Sequence, residues 1–444
     1  MHFHQTSGLF RGAFGTPEMR EIFGDTGYLQ RFLDVEAALA RAQADAGIVP
    51  ESAAAEITER ASLEHLDMEQ VAANVEEIGL FTMSIIDAWK ESFDDAGEYI
   101  HWGATSQDIS DTAVVLQLRD AYERYRSDLV DIRAALRELA ADHRDTPMMG
   151  RTHFVHALPI TFGLKAAVWL EEVERHIDRL DAAAERTFVV EFFGATGTLA
   201  SLDHGGEEVQ ENLAAELDLV VPDTPWFAAR DRFAEFLSVL AQIGSGLSKI
   251  AHQILLLNRP EFGEVTEHVP EGEVGSSTMP HKRNPVRSEF NGALAKLLRA
   301  NATAMLEATE TYDERDFTTW YVEFAVVPDS GLYFGRLLEN CKAVLTDLDV
   351  HPEGMRENLD HHGSLIASEA IMMALASKTG RQTAHDVVHE NAMEAIQTDR
   401  DLLACLRDDE RVTDAMTDDE LEAAADPTNY VGLAGTFVDR TLRE

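Results

Sequence analysis

At 444 residues the chain can bury a large core and divide into two or three parts. Apolar residues make up an ordinary 45%, but 80 Asp and Glu oppose 37 Lys and Arg, giving a net charge of −43. So acidic a surface repels phosphate, which excludes nucleic acid and an anionic membrane as partners.

The acids are spread among regular apolar positions, so they read as a shell over a folded protein rather than a disordered tail. Such a shell self-repels at low ionic strength and is relieved by salt. This predicts the salt-rich cytoplasm of a halophile. Cys341 and Cys405 are the only cysteines, which gives no disulfide framework and no zinc pattern and fits a reducing interior. The opening "MHFHQTSGLFRGAF" lacks the apolar core of a signal peptide. No run reaches the roughly 18 apolar residues of a membrane span.

In chain order, residues 1–108 read as an N-terminal part of shorter helices, such as "GYLQRFLDVEAALARAQADAG", broken by glycines and "GIVP". The polar stretch "IHWGATSQDISDT" (100–112) comes next. Gly103 allows close backbone approach, and Thr105 and Ser106 offer hydroxyls just before a helix. With the free N–H groups there they make an anion site, although an N-cap and turn is the blander reading. The cap candidates in "SDTA" are Ser110 and Asp111. Val115, Leu118, Tyr122, Tyr125, Leu129, Ile132, Leu136 and Leu139 then step by three and four, one apolar stripe along a long helix.

"GRTHFVHALPITFG" (150–163) carries Arg151, Thr152, His153 and His156. A histidine can move a proton at neutral pH, though a lone one is more often structural. With no HExxH or cysteine partner, a metal site is disfavoured. Stripes at Leu170–Leu180 and Phe233–Leu257 continue the helical pattern, and residues 109–348 read as a central long-helix bundle. Within it, "GSSTMPHKRNP" (275–285) concentrates donors behind a glycine hinge. Ser276 or Ser277 could act as nucleophile or base, and Lys282 and Asn284 could bind a carboxylate. Neither GxSxG nor GxxxxGK[ST] is present, so acyl chemistry and a P-loop lack support. After "DLDVHPEGM" the helices shorten, and residues 349–444 read as a C-terminal helical part.

"GSSTMPHKRNP" resembles, nearly letter for letter, the signature loop of the aspartase/fumarase superfamily of lyases. "GATSQD" and "GRTHxxxALPxTFG" fall in that family's order. The resemblance spans the chain. It implies an all-α, three-part subunit with a long central bundle, and a homotetramer with a 20-helix core whose active sites are built by three subunits. It implies addition or elimination beside a carboxylate, through an aci-carboxylate intermediate stabilised by donors aimed at it. On the matching positions, Ser276 is the base. Thr105, Ser106, Lys282 and Asn284 bind carboxylate, with Arg151 and Thr152 of the "GRTH" stretch beside them. His153 binds substrate or acts as general acid, supported by Glu289 of "NPVRSEF". No metal or organic cofactor is implied.

"HWGATSQD", "FFGATGTLASL" and "PWFAARDRFAEF" look like the 3-carboxy-cis,cis-muconate cycloisomerase branch. Cycloisomerases from bacteria commonly lack the histidine found here as His153, and Glu289 looks more like the adenylosuccinate lyase branch. His65 is a looser match to another histidine of that branch. Phe324 stands where an arginine would grip a nucleotide phosphate, a loss of bidentate recognition. The expectation is a small polycarboxylate substrate and a cycloisomerase-like reaction. The alternative is a C–N lyase releasing fumarate from an N-succinyl compound.

Overall fold

The computed structural model describes residues 8–202, 205–268, 279 and 282–443. They are mostly helical. The elements used below are α1 (Asp25–Asp45), α2 (Met68–Ile78), α3 (Phe81–Lys90), α4 (Ser106–Asp142), β1 (Pro147–Thr152), β2 (Val155–Thr161), α5 (Phe162–Thr187), α6 (Asp231–Leu257), β3 (Val265–Thr266), α7 (Val286–Glu307), α8 (Phe317–Thr346), β4 (Asp349–Val350), α9 (Ser368–Thr379), α10 (Arg381–Thr398) and α11 (Leu402–Asp408). Among the described residues no helix is long and apolar enough to cross a membrane.

The apolar stripe accounts for α4. Val115, Leu118, Tyr125, Leu129, Ile132 and Leu136 are fully buried along its 37 residues. The helix begins earlier than its stripe, at Ser106, so Ser110 and Asp111 are not its cap. Both lie inside it and are buried, Ser110 against the Thr82 hydroxyl at 3.0 Å and Asp111 against Arg230. The cause is Asp108, whose carboxylate reaches back to accept the Thr105 N–H at 2.9 Å. That is one half of a capping box, and it starts the helix one turn upstream.

The chain divides into two compact units. The first comprises described residues of 1–129, 176–248 and 290–340. Its core joins Phe32, Leu33 and Leu39 of α1 and Trp89 of α3 to Ile109 and Leu116 of α4 and Phe192.

The second comprises described residues of 130–175, 249–289 and 341–444. It holds two small antiparallel pairs, β1 with β2 and β3 with β4. Hydrophobic residues of α9, α10 and α11, among them Ile371, Leu375, Val387, Leu402 and Leu406, form a separate cluster there. The β1–β2 hairpin covers much of the stretch 150–163, a local departure from the all-α expectation. A bulge falls between Met149 and Arg151. Gly150 is the residue there because a Cβ would stand 2.4 Å from the Leu158 carbonyl oxygen.

Candidate active site

In the first unit, the site is built on the N-terminal end of α4. Gly103 turns the chain at φ +71°, where a Cβ would meet Leu202 at 2.9 Å, so only glycine fits the approach to the helix. Thr105 and Ser106 follow, half-buried, at the end where N–H groups and the helix dipole favour an anion. The Arg315 guanidinium donates to the Thr105 hydroxyl. It also lies 6.0 Å from the centre of the Phe227 ring. Motif reading did not single out Arg315. Its signal was a cation in an acidic turn, "TYDERDF", just before an aromatic run.

Beneath this end lie buried charges. Asp108 accepts N–H bonds from Thr105, Phe193 and Gly194 at 2.8–3.1 Å. Burial outweighs those bonds and pushes its carboxyl up to about 7. Deeper, Arg230 is 1% exposed and bonds two carboxylates, Asp111 at 2.6 and 3.1 Å and Glu323 at 2.7 Å. It also stacks near Trp226 and Phe233, with centroids 5.0 and 5.1 Å away. Burial raises Glu323 to about 7 against the pull of Arg230. Glu191, also buried, is raised by desolvation and then by the charges of Asp111 and Asp108.

In the second unit, Arg151, Thr152 and His153 sit on the β1–β2 hairpin. Thr152 pairs with Val155, so His153 and Phe154 form a two-residue loop, with φ of +51° and +66°. Both are left-handed, as a type I′ turn requires, yet neither is the usual Asn or Gly. Such backbone strain concentrates at functional positions. The turn presents His153 to solvent beside Phe154, which is 97% exposed. Behind the turn, Arg151 forks onto the fully buried Glu264 at 2.7 and 3.0 Å, with Phe262 under its guanidinium. Asn358 donates to the same carboxylate at 2.8 Å. Arg151 therefore anchors the hairpin. His156 packs near His362 and His361, and its pKa is lowered by burial and then by Arg151.

The chain runs from Glu264 through β3 to Glu267, which accepts the N–H groups of Arg287 and Ser288 at 3.0 Å and the Ser288 hydroxyl at 2.6 Å. Glu267 thereby fixes the first turn of α7. Lys282 and Asn284 immediately precede that turn, and Glu289 lies in it. Lys282 and Glu289 are exposed and Asn284 is half-buried. One short segment thus braces both the hairpin bearing His153 and the helix end bearing Lys282, Asn284 and Glu289. No hydrogen bond joins His153 to Glu289 among the described contacts. Ser276 and Ser277 lie outside the described residues. His65 is exposed in a single turn, Leu63–His65, of the first unit.

The family described as "Lyase" matches residues 12–298, and the "Adenylosuccinate lyase C-terminus" family matches residues 364–441. The chain is a lyase of the aspartase/fumarase superfamily. This lyase is 39% identical over 435 residues to the N-acetyl-S-(2-succino)cysteine lyase of Dickeya dadantii, covering 98% of this chain and 96% of that one. It is 40% identical over 431 residues to the adenylosuccinate lyase of Pyrococcus horikoshii, covering 97% and 96%. The solved 3-carboxy-cis,cis-muconate lactonizing enzyme of Pseudomonas putida superposes with a TM-score of 0.94 at 38% identity, over 98% of both chains. The long-helix architecture is therefore the L-aspartase-like fold. Enzymes of this superfamily act on carboxylate substrates.

Proposed function

We propose that this lyase eliminates a non-nucleotide group from a 2-substituted succinate, releasing fumarate. The observation that carries the reading is the end of α4, where two hydroxyls, helix N–H groups and Arg315 converge as carboxylate donors. Among the described residues lining the aromatic cavity of this unit there is no lysine or arginine, and Phe324 and Trp320 stand there instead. The helix end serves a carboxylate, and the aromatic surface offers a nucleotide phosphate no bidentate partner.

The proposed reaction proceeds in balanced steps. Ser276 removes the proton from the carbon beside one carboxylate. The electron pair passes into that carboxylate, and the resulting aci-carboxylate is held by Thr105, Ser106, Lys282 and Asn284. The carbon–heteroatom bond then breaks and fumarate forms. His153, paired with Glu289 across copies of the chain, gives the departing nitrogen or sulfur its proton. The outward, strained His153 turn suits a donor offered to another copy's site, as the three-subunit sites of a homotetramer require. The excess of carboxylates supports a salt-rich cytoplasm as the working medium.

A second reading, lactonisation of 3-carboxy-cis,cis-muconate, is favoured by the 0.94 TM-score to the lactonizing enzyme. It uses the same base and clamp with a tethered leaving group. In molar KCl, fumarate release from 2-amino- and 2-thio-substituted succinates is compared with loss of the muconate diene absorbance. Fumarate release abolished by Ser276→Ala supports the first reading. Diene loss alone, abolished by the same variant, replaces it with the second.

A further inference from the structure

The first unit contains a cavity of about 540 Å³ that the reaction steps above leave unused. Its walls are Val71 and Val75 of α2, Phe81 of α3, Val114 of α4, and Trp320 and Phe324 of α8. The aromatic rings are locked to one another. Phe81 lies 5.1 Å from Phe324, and Phe324 lies 5.2 Å from Trp320. The floor is Asp111 and Glu323, both already taken by Arg230, and Asp25 adds a third carboxylate to the lining. One buried cation between two carboxylates leaves that floor neutral or negative, never positive. Among the described lining residues there is no lysine, arginine or histidine. The volume is that of a ligand pocket, and apolar walls with few polar groups are what such pockets use.

The cavity runs along α4 past its carboxylate-binding end, walled there by Asp111, Val114 and Gln117. Asp111 lies five residues after Ser106, about 7.5 Å along the helix axis. Phe81 lines the cavity, and the hydroxyl of its neighbour Thr82 reaches the Ser106 carbonyl at 3.5 Å. Arg315, on Thr105, precedes the aromatic run that begins at Phe317.

We propose that this cavity receives the departing group of the substrate, and that this group is hydrophobic and uncharged. The proposal rests on the fumarate-releasing reading for its substrate, but not for the cavity's own binding. A molecule gripped by its carboxylate at Thr105 and Ser106 would extend its other end over Phe81 into the space between α2 and α8. An anionic group would meet Asp111 and Glu323 with no cation to spare.

Two measurements test this separately. In the first, kcat/KM for fumarate release is followed across 2-(alkylamino)- and 2-(alkylthio)succinates from ethyl to hexyl, with benzyl as the ring-bearing member. Burying each methylene is expected to raise kcat/KM about two- to fourfold. A flat series in an active enzyme overturns the proposal and leaves the lyase reading standing. In the second, binding of 4-fluorobenzyl alcohol and 4-fluorobenzoate to the full chain is followed by fluorine NMR line broadening. The alcohol is expected to bind at least tenfold more tightly than the benzoate. Ala72→Trp, which fills the cavity from α2, is expected to abolish that binding, and Phe324→Arg to reverse the preference. Failure of the wild-type protein to bind the alcohol overturns the proposal, whatever the variants do. Alcohol binding without turnover of any succinate removes the fumarate-releasing reading and leaves the cavity's preference intact.

Discussion

Replacing Arg230 with methionine separates its charge from its bulk. The side chain is 1% exposed and makes hydrogen bonds to Asp111 and Glu323, which are 1% and 4% exposed. Methionine can keep much of the packing against Trp226 and Phe233 but leaves both carboxylates buried and unpaired. Breaking a buried ion pair in this way costs about 3–5 kcal/mol. The size of the loss depends on pH, and its sign follows from Glu323. With Arg230 present, burial already holds that carboxyl at about 7. A carboxyl raised in the folded state lowers stability as pH climbs from its ordinary value to its folded one, and no further. In R230M the upper limit moves above 7, so the variant keeps losing stability where the wild type has levelled off. The deficit is expected to widen above pH 7 by up to about 1.4 kcal/mol per pH unit. Urea unfolding at constant KCl, compared at pH 7 and 8.5, reads this directly, because urea leaves ionic strength unchanged. A deficit below about 1 kcal/mol at pH 8.5, or one that does not change with pH, refutes the reasoning. The triple variant R230M/D111L/E323M removes the stranded charges together and is expected to recover most of the loss.

Arg315→Ala removes the cation on Thr105 and is expected to lower kcat/KM about 10- to 100-fold with the melting temperature unchanged, because Arg315 is exposed. Glu191→Gln is expected to raise the melting temperature at pH 8 and leave it unchanged at pH 4. Burial raises the Glu191 carboxyl, one of whose oxygens has no hydrogen-bond partner, so ionisation costs stability only at the higher pH. Arg151→Lys keeps the charge but loses the fork onto Glu264. It is expected to lower kcat through the His153 turn more than it alters KM, measured beside thermal melting as a control for folding. Raising KCl from low to molar concentration is expected to raise the melting temperature, most steeply at the low end where screening changes fastest.

What the sequence shows and what it hides follow from how far apart the interacting residues lie. The α4 stripe is legible because a helix buries residues three and four apart, and each position from Val115 to Leu136 tests the same face. The start of α4 is not, because it depends on one carboxylate. Asp108 lies outside the stripe and acts through a backbone N–H. The β1–β2 hairpin is hidden for a related reason. Its alternation is broken by the bulge at Gly150, and its turn is made by His153 and Phe154, residues that turn chemistry does not predict. Thr105, Ser106, Lys282 and Asn284 could be nominated because each sits in a compact run of donors. Arg230 could not, since its partners are 119 and 93 residues away and nothing local marks "AARDRF" as the centre of a buried triad. The cavity is the extreme case. Its walls come from six stretches between Phe23 and Pro328, and most of these residues read alone belong to ordinary apolar stripes. Only the packing leaves them facing open space, and only the triad beneath decides which charge that space can accept. Candidate residues for the chemistry can thus be nominated from motifs, whereas a cavity beside them emerges only when the helices are assembled.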